Sequence, residues 1–552
     1  MQDLSNPGQI DRRHVLLAVI LVLIGSLRIA STYSVFSHTM DEPTHLGAGM
    51  QYLSTGQYTY EDAHTPLARV FAAAGPFLAG ERFHPVPIPY RESFRILGAG
   101  EHYQRTLTLG RLGILPFFWA GSWVVFLWGN RCGGALTALI ATLLFTTLPP
   151  VLAHSGLITT DMALTSMCGA AAYASLLWAE QPSRTRTMAL GALLGLALVA
   201  KLSAMPYLLA AWFLMYAWYL FRYRPGLGAA IGQIWSRRLS LAAVSGIASL
   251  TIWAVYSFHF GPVGYLHSSL PAPEFFSGLA SVWQHNQNGH ASYLLGHRRN
   301  IGVWYFFPVV LGIKTPLAML LLLLWSPFLI GRLRARSAFG TNIATAVAFS
   351  AGILLFAMTS RINIGVRHVL PVYIGFSIVC GAAAAAVLVA PASLKPDRCG
   401  VSAAGVFRPT AAKLAMLGLL AWHVASGALQ HPDYLPYTNE IAGGHPENFV
   451  ADSDLDWGQD MKRVGEYFER IGVSEITFRP YDGTYLDMGG PPLPRMLPSD
   501  WDHPSPGWNA VSLSEWKVFN HPGWVNGRKP QARIGRTTWL WYFGPDSGGM
   551  QK

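Results

Sequence analysis

The sequence predicts an all-α polytopic membrane bundle of about eleven transmembrane helices, followed by a small C-terminal α/β extracytoplasmic domain. Three observations carry that expectation. Only 12% of the 552 residues are charged, while 51% are hydrophobic. Apolar runs long enough to cross a bilayer recur from residue 14 to about residue 429. Basic residues gather in alternate connections between those runs.

In order, the runs fall at 14–32, 108–128, 133–153, 162–180, 187–202, 204–221, 239–258, 303–330, 342–359, 367–390 and 411–429. A helix needs roughly 20 apolar residues to cross the hydrocarbon layer, and most of these runs supply them. The runs 187–202 and 204–221 are short and share an interruption around Lys201. Residues 66–80, PLARVFAAAGPFLAG, are too short to cross and read as an interfacial or re-entrant helix. No clean small-residue cleavage site follows the first run, so it does not read as a removable signal peptide.

The net charge of +11 is distributed in a way that reports topology. Arg12 and Arg13 precede the first span. Arg184 with Arg186, Arg222 with Arg224, Arg237 with Arg238, Arg332 with Arg334 and Arg336, and Lys395 with Arg398 and Arg408 fall in alternate loops. This positive-inside pattern puts the amino terminus in the cytoplasm, and eleven crossings then put the C-terminal domain outside. The charge does not mark a nucleic-acid binder. The cysteines Cys132, Cys168, Cys380 and Cys399 are scattered, with neither a disulfide framework nor metal-ligand spacing.

The chain divides into a membrane domain, 1–429, and a C-terminal domain, 430–552. Within the first, the long polar segments 33–107 and 259–302 share the outer face with the C-terminal domain. The C-terminal domain opens on a loop, HPDYLPYTNEIAGG, followed by a turn and an amphipathic helix in which Met461, Val464, Phe468 and Ile471 recur at helical spacing. SEITFRP and RTTWLWYF read as strands. The six tryptophans from Trp501 to Trp541 fit either a core or a membrane interface.

Within this frame a few ionisable residues stand out. Asp41 and Glu42 form an acidic pair just beyond the first span, in a chain with only 29 acidic residues. As a loop feature the pair would cap a helix beginning at Pro43; as a functional one it would do proton chemistry at the membrane surface. Asp161 stands where the third span gives way to the fourth, and Lys314 lies some ten residues inside the run VWYFFPVVLGIKTPLAML. Charges at mid-membrane depth cost about 2.5–3.5 kcal/mol, so they tend to be used. Arg367 and His368 open the tenth span, and His64 and Arg69 belong to the re-entrant segment. Each cation alone could be an interfacial anchor. Together with the carboxylates they supply a base and phosphate-holding groups on one side of a membrane, which transfer from a lipid phosphate requires.

The order of these motifs resembles the clan C integral-membrane glycosyltransferases, and among them the bacterial relatives of the dolichyl-phosphate-mannose protein mannosyltransferases. The resemblance spans most of the chain: Asp41-Glu42, HTPLAR, LITTDMAL, WYFFPVVLGIKTPL, NIGVRHVLPVY and, near the C-terminus, HPDYLPYTNEIAGG and DSDLDWGQDMKR. It implies transfer of a hexosyl or pentosyl group from a polyprenyl-phosphate sugar to an acceptor hydroxyl on a protein, lipid or glycan, with inversion at the anomeric carbon. Asp41 would be the general base, Glu42 would orient the acceptor or the base, and Asp161 would line the same cavity. Arg367, and with it Lys314, Arg69 and His64, would contact the donor phosphate. The chain departs from the family pattern at Thr65 and Arg69, in the segment expected to touch that phosphate.

No cofactor is fixed by the sequence. His45, His64, His84 and His102 share the first outward loop with Asp41 and Glu42, which leaves a divalent metal open, although His45 is one helical turn from Asp41 and a helix-face hydrogen bond explains it equally. Asp452, Asp454, Asp456 and Asp460 imitate part of a calcium loop, but the glycine is displaced to Gly458 and Arg463 stands where a bidentate Glu belongs. Asp456 reads instead as a helix cap. The rival to an enzyme is a transporter or flippase for a lipid-linked saccharide, which more often shows inverted repeats or paired broken helices, and neither is evident. A ligase or polymerase transferring an oligosaccharide en bloc would keep the same fold.

Overall fold

In the computed structural model, residues 10–98, 100–331, 337–389, 409–481, 490–498, 500, 502–519 and 522–544 are described. The basic loop residues Arg332, Arg334, Arg336, Lys395, Arg398 and Arg408, together with Cys399 and Trp501, lie outside them.

The molecule is a helical bundle with a small sheet at its C-terminal end. Among the described residues, seven helical stretches are long and apolar enough to cross a membrane, or eight if the bent pair Phe306–Lys314 and Leu317–Ile330 counts as one span. The expected number was eleven, and the difference has local causes. The helix Arg184–Ala200 has 17 residues and falls just short. The helix Ser337–Ala357 has 21 residues and stands where the run 342–359 was expected. The runs expected at 108–128 and 133–153 correspond to two helices within Leu115–Thr146 that fold back on each other at Gly133 and Gly134: a Cβ added at Gly129 would stand 3.1 Å from Ala138 Cα, and one at Gly121 3.5 Å from Phe145 Cζ. Gly134 adopts φ +78°, a conformation that L side chains rarely adopt, so a glycine there permits the break.

Helix Val372–Val389 packs along Leu115–Thr146, Ala204–Tyr223 along Ser337–Ala357, and Arg238–Val255 along Arg184–Ala200. The helix Pro66–Leu78 matches the expected short segment and packs against Glu42–Thr55. Their approach depends on Gly49, where an added Cβ would stand 2.0 Å from the Arg69 carbonyl oxygen.

The three long polar segments meet at one end of the bundle. The N–H groups of Ser37 and Met40 donate to the carbonyls of Gln459 and Trp457 (3.0 and 3.1 Å). The N–H of Leu295 donates to the Phe449 carbonyl (2.8 Å), and the Tyr293 hydroxyl to the Glu447 carbonyl (2.8 Å). Two short hairpins lie in the second segment, Phe260–Val263 with Ser268–Pro271 and Ser292–Leu294 with His297–Arg299.

The C-terminal sheet has five strands in the order Arg495–Leu497, Glu475–Arg479, Gly507–Ser512, Thr538–Phe543, Ala532–Ile534. Its first two pairings are parallel and the others antiparallel. Helix Met461–Arg470 buries Met461, Val464 and Phe468 in a small core with Ile476, Phe478, Ala510 and Leu540. Ile471 lies past the helix end and is exposed. Trp524, Trp539 and Trp541 are buried, so these three serve as core. Tyr434, Leu435, Leu455 and Trp457 instead join the core of the helical bundle, so the C-terminal segment is threaded into the bundle before it forms its own sheet.

Candidate active site

Asp41 occupies the residue before helix Glu42–Thr55, with Pro43 in the first turn, a position where a carboxylate meets the positive end of the helix dipole. Its side chain does not cap the helix. It keeps 30% of its surface exposed and pairs with Arg367, whose Nη1 donates to Oδ2 at 2.8 Å. Arg367 sits in a 3-10 turn, Val366–Val369, just before the helix Val372–Val389. The same Nη1 stands 4.0 Å from Asp161 Oδ2.

Asp161 begins the helix Asp161–Glu180 and is buried. Its Oδ1 accepts from Lys201 Nζ at 2.6 Å. Lys201 lies at the break between the helices Arg184–Ala200 and Ala204–Tyr223, which frees its chain to reach Asp161. Asp41, Arg367, Asp161 and Lys201 thus form a chain of alternating charges running from the exposed mouth into the bundle. Asp161 Oδ2 and Arg367 Nε are buried with no hydrogen-bond partner among the described residues, so the chain retains unused acceptor and donor capacity.

Glu42 is turned away from this chain. Its carboxylate receives Arg111 Nε and Nη2 (2.9 and 2.8 Å), the Ile158 N–H (3.0 Å) and the Thr39 N–H (2.7 Å). Burial raises its pKa, but Arg111 and these hydrogen bonds overcome that effect and hold it below the ordinary glutamate value. Glu42 therefore joins the helix behind Asp41 to the loop that leads to Asp161.

Arg69 and His64 belong to an adjoining cluster. Arg69 is buried; its Nε donates to His45 Nδ1 (2.9 Å), its Nη1 to the Tyr58 hydroxyl (2.9 Å), and its Nη2 pairs with Glu61. Glu61 also takes His64 Nδ1 at 3.0 Å. Burial raises the Glu61 pKa, yet Arg69 and His64 outweigh it and hold the carboxyl at about 2. His45 has its pKa driven well below 6.5 by burial and by the surrounding cations. It hydrogen-bonds to Asp41 through backbone only, His45 N–H to Asp41 carbonyl at 3.1 Å. Among the described residues no three His, Cys, Asp or Glu side chains converge as a metal-ligand set. His84 pairs with Glu92 and His102 with Glu81.

Lys314 is not brought to Asp41. Buried at the bend between Phe306–Lys314 and Leu317–Gly331, it donates to the carbonyls of Leu435 (2.7 Å) and Asp454 (2.5 Å), tying the bundle to the C-terminal segment. The four tail aspartates go to separate partners. Asp454 Oδ1 accepts from the Val366 N–H (2.9 Å), Asp452 Oδ1 from the Tyr481 hydroxyl (3.1 Å), and Asp460 Oδ2 from the Thr537 hydroxyl (2.8 Å). Asp456 does not cap the following helix as expected. It accepts from the N–H groups of Gly458 and Ser514 (3.2 and 3.0 Å) and from the Ser512 hydroxyl, because the chain turns back toward the sheet before the helix starts at Met461.

The sequence reading passed over four residues that this geometry brings forward. Lys201 was visible as an interruption in an apolar run, but its carboxylate partner was not. Arg111 carried a signal in being a lone arginine within LTLGRLGILPFF. Trp457 and Tyr481 carried none, since their relation to Arg367 and Asp452 comes from long-range folding.

No known protein-family model matches the chain, and no curated protein does. Similar solved structures include ArnT from Cupriavidus metallidurans bound to undecaprenyl phosphate, at 16% identity and a TM-score of 0.48 over 95% of this chain and 97% of that one. The archaeal oligosaccharyltransferase AglB from Archaeoglobus fulgidus, in complex with an inhibitory peptide and a dolichol-phosphate, is similar at 10% identity and 0.47 over 91% and 70%. The S. cerevisiae protein O-mannosyltransferase Pmt1-Pmt2 complex bound to the sugar donor is similar at 18% and 0.37 over 53% and 40%. These are clan C glycosyltransferases, the group that the sequence motifs resemble.

Proposed function

We propose that the protein is a membrane glycosyltransferase that moves a sugar from a polyprenyl-phosphate-linked donor to an acceptor hydroxyl at the periplasmic face, with inversion. The observation that carries this reading is the position of Arg367, 2.8 Å from the partly exposed carboxylate of Asp41 and 4.0 Å from buried Asp161. A base open to an acceptor and a cation able to receive a phosphate are held side by side where polar loops meet an apolar bundle.

In the reaction, Asp41 removes the acceptor hydroxyl proton as the oxygen attacks the anomeric carbon from the face opposite the leaving group. The bond from that carbon to the phosphate oxygen breaks, and its electron pair leaves with the polyprenyl phosphate. That phosphate gains negative charge as it departs, so it needs cations already in position. Arg367 and Lys201 meet that need, Arg367 with a fork of donors and Lys201 as a point charge. Asp161 holds both cations in place before the donor arrives.

The other expected residues take supporting roles in this reading. Glu42 positions the Asp41 and Asp161 segments. Arg69 and His64 border the site, with Arg69 spent on His45, Tyr58 and Glu61. Lys314 anchors the C-terminal segment. The outward orientation is supported by element order: the helices Arg184–Ala200 and Arg238–Val255 start at basic residues and run toward the site and the polar loops.

The test is release of free polyprenyl phosphate by purified protein in lipid, over a panel of polyprenyl-phosphate sugars, comparing wild type with Asp41→Asn. Loss of a general base lowers the rate by about 100- to 10,000-fold. Thermal stability should change little, because Asp41 is partly exposed. Release by Asp41→Asn equal to wild type would refute the base assignment.

A further inference from the structure

Residues Asp452–Met461 form a strap that grips both halves of the site. On one side, the N–H groups of Ser37 and Met40 donate to the Gln459 and Trp457 carbonyls, and the Met461 N–H donates to Ser37 Oγ (3.1 Å). These four residues, Ser37–Met40, lead directly into Asp41. On the other side, Ser453 Oγ donates to the Ile364 carbonyl (3.1 Å) and Asp454 receives the Val366 N–H, which fixes the turn carrying Arg367. The fit is close: a Cβ at Gly365 would stand 2.6 Å from Ser453 Oγ.

Between these two grips the Arg367 guanidinium lies over the Trp457 ring, 4.1 Å from its centroid. Trp457 is buried, and His154 meets its ring edge-on at 6.5 Å. Attraction between a cation and an indole face is strongest where both are desolvated, as here. Asp41 fixes one end of the guanidinium; the indole fixes its plane.

We propose that Trp457 is a positioning residue of the transfer reaction, holding the Arg367 guanidinium in the plane and place where it receives the donor phosphate. The C-terminal segment is then a structural part of the active site, beyond any role as a cover. This rests on the reading of Arg367 as a phosphate-holding group.

The experiment measures binding of a sugar-free polyprenyl phosphate to the full-length protein in lipid nanodiscs by native mass spectrometry, with thermal stability recorded in parallel. The variants are Trp457→Phe, Trp457→Leu, Arg367→Met, and the protein carrying a ring-fluorinated tryptophan at 457, which keeps the indole shape and weakens its negative face. Trp457→Phe is expected to stay within about 3-fold of wild type, since a π face remains. Trp457→Leu should lose more than about 10-fold and the fluorinated ring about 5-fold. If Leu disturbs folding, the fluorinated protein still decides the matter, because its packing is unchanged. Unaltered binding by the fluorinated protein, or losses that track stability and ignore the ring, would overturn the inference. Arg367→Met separates the two levels. If it abolishes binding while the Trp457 series does not, only this inference falls; if it too binds as wild type, the phosphate reading of Arg367 falls with it.

Discussion

Replacing Glu42 by Gln separates the two members of the acidic pair. The Glu42 and Arg111 side chains are 0% and 1% exposed, joined by two charge-assisted hydrogen bonds at 2.8 and 2.9 Å. The amide removes the charge and leaves a buried guanidinium unpaired, which costs about 3–5 kcal/mol. The Gln NH₂ must also face one of two donors, Ile158 N–H or Thr39 N–H, and an unmet buried N–H costs about 1–3 kcal/mol. These losses overlap, since relaxation that eases one eases the other, so about 4 kcal/mol is the expected total. The assay is thermal unfolding in detergent alongside Asp41→Asn, which should unfold near wild type. A double variant, Glu42→Gln with Arg111→Met, should recover much of the loss, because it removes the orphaned charge. The pH dependence follows from the depressed pKa: the contribution is full above the ordinary glutamate value and is lost only as pH falls below it. Wild-type stability in Glu42→Gln, with transfer abolished, would refute the structural role argued here and return Glu42 to the chemistry.

Two further outcomes follow from the same structure. Burial pushes Asp456 up to about 6, so the folded state holds its proton more tightly than the unfolded chain does. Its contribution is therefore full below the ordinary aspartate value of 3.8 and declines as pH rises to about 6. Asp456→Asn should flatten that decline, read from melting curves across pH, while its NH₂, which must face the Gly458 or Ser514 N–H, offsets any gain at pH 7 by about 1–3 kcal/mol; an unchanged pH profile would contradict it. Gly49→Ala would drive a methyl into the Arg69 backbone, with contacts of 2.0 Å to its carbonyl oxygen and 2.6 Å to its carbonyl carbon. A loss of about 3 kcal/mol or more is expected, and a variant melting with wild type would show that the two helices separate freely.

The parts legible in the sequence were those with local causes. Long apolar runs announced the helices because a bilayer demands length and continuity. The short helix Pro66–Leu78 and the amphipathic helix Met461–Arg470 were readable from length and spacing. The count of spans was less legible, because the helix Arg184–Ala200 has 17 residues, at the lower limit of what can cross. Asp41 and Arg367 could be singled out by residue type and setting, yet their pairing could not, since it joins positions 326 residues apart. Glu42 looked like the twin of Asp41 because adjacency in sequence hides a helical rotation of about 100°. Only the fold reveals that one neighbour faces the mouth and the other faces Arg111. Lys314 illustrates the same limit: its depth in an apolar run was evident, whereas its partners are carbonyls of a segment more than a hundred residues later.

The strap also imposes an order in time. The residues leading into Asp41 are latched by a segment 422 positions farther along the chain, so a ribosome has finished every apolar span before that latch can be made. A nascent chain halted after its last membrane helix would carry Asp41, Asp161, Lys201 and Arg367 without the segment that grips the backbone beside Asp41 and Arg367. The gripped arrangement of Asp41 and Arg367 is therefore completed late in synthesis, after the last membrane helix.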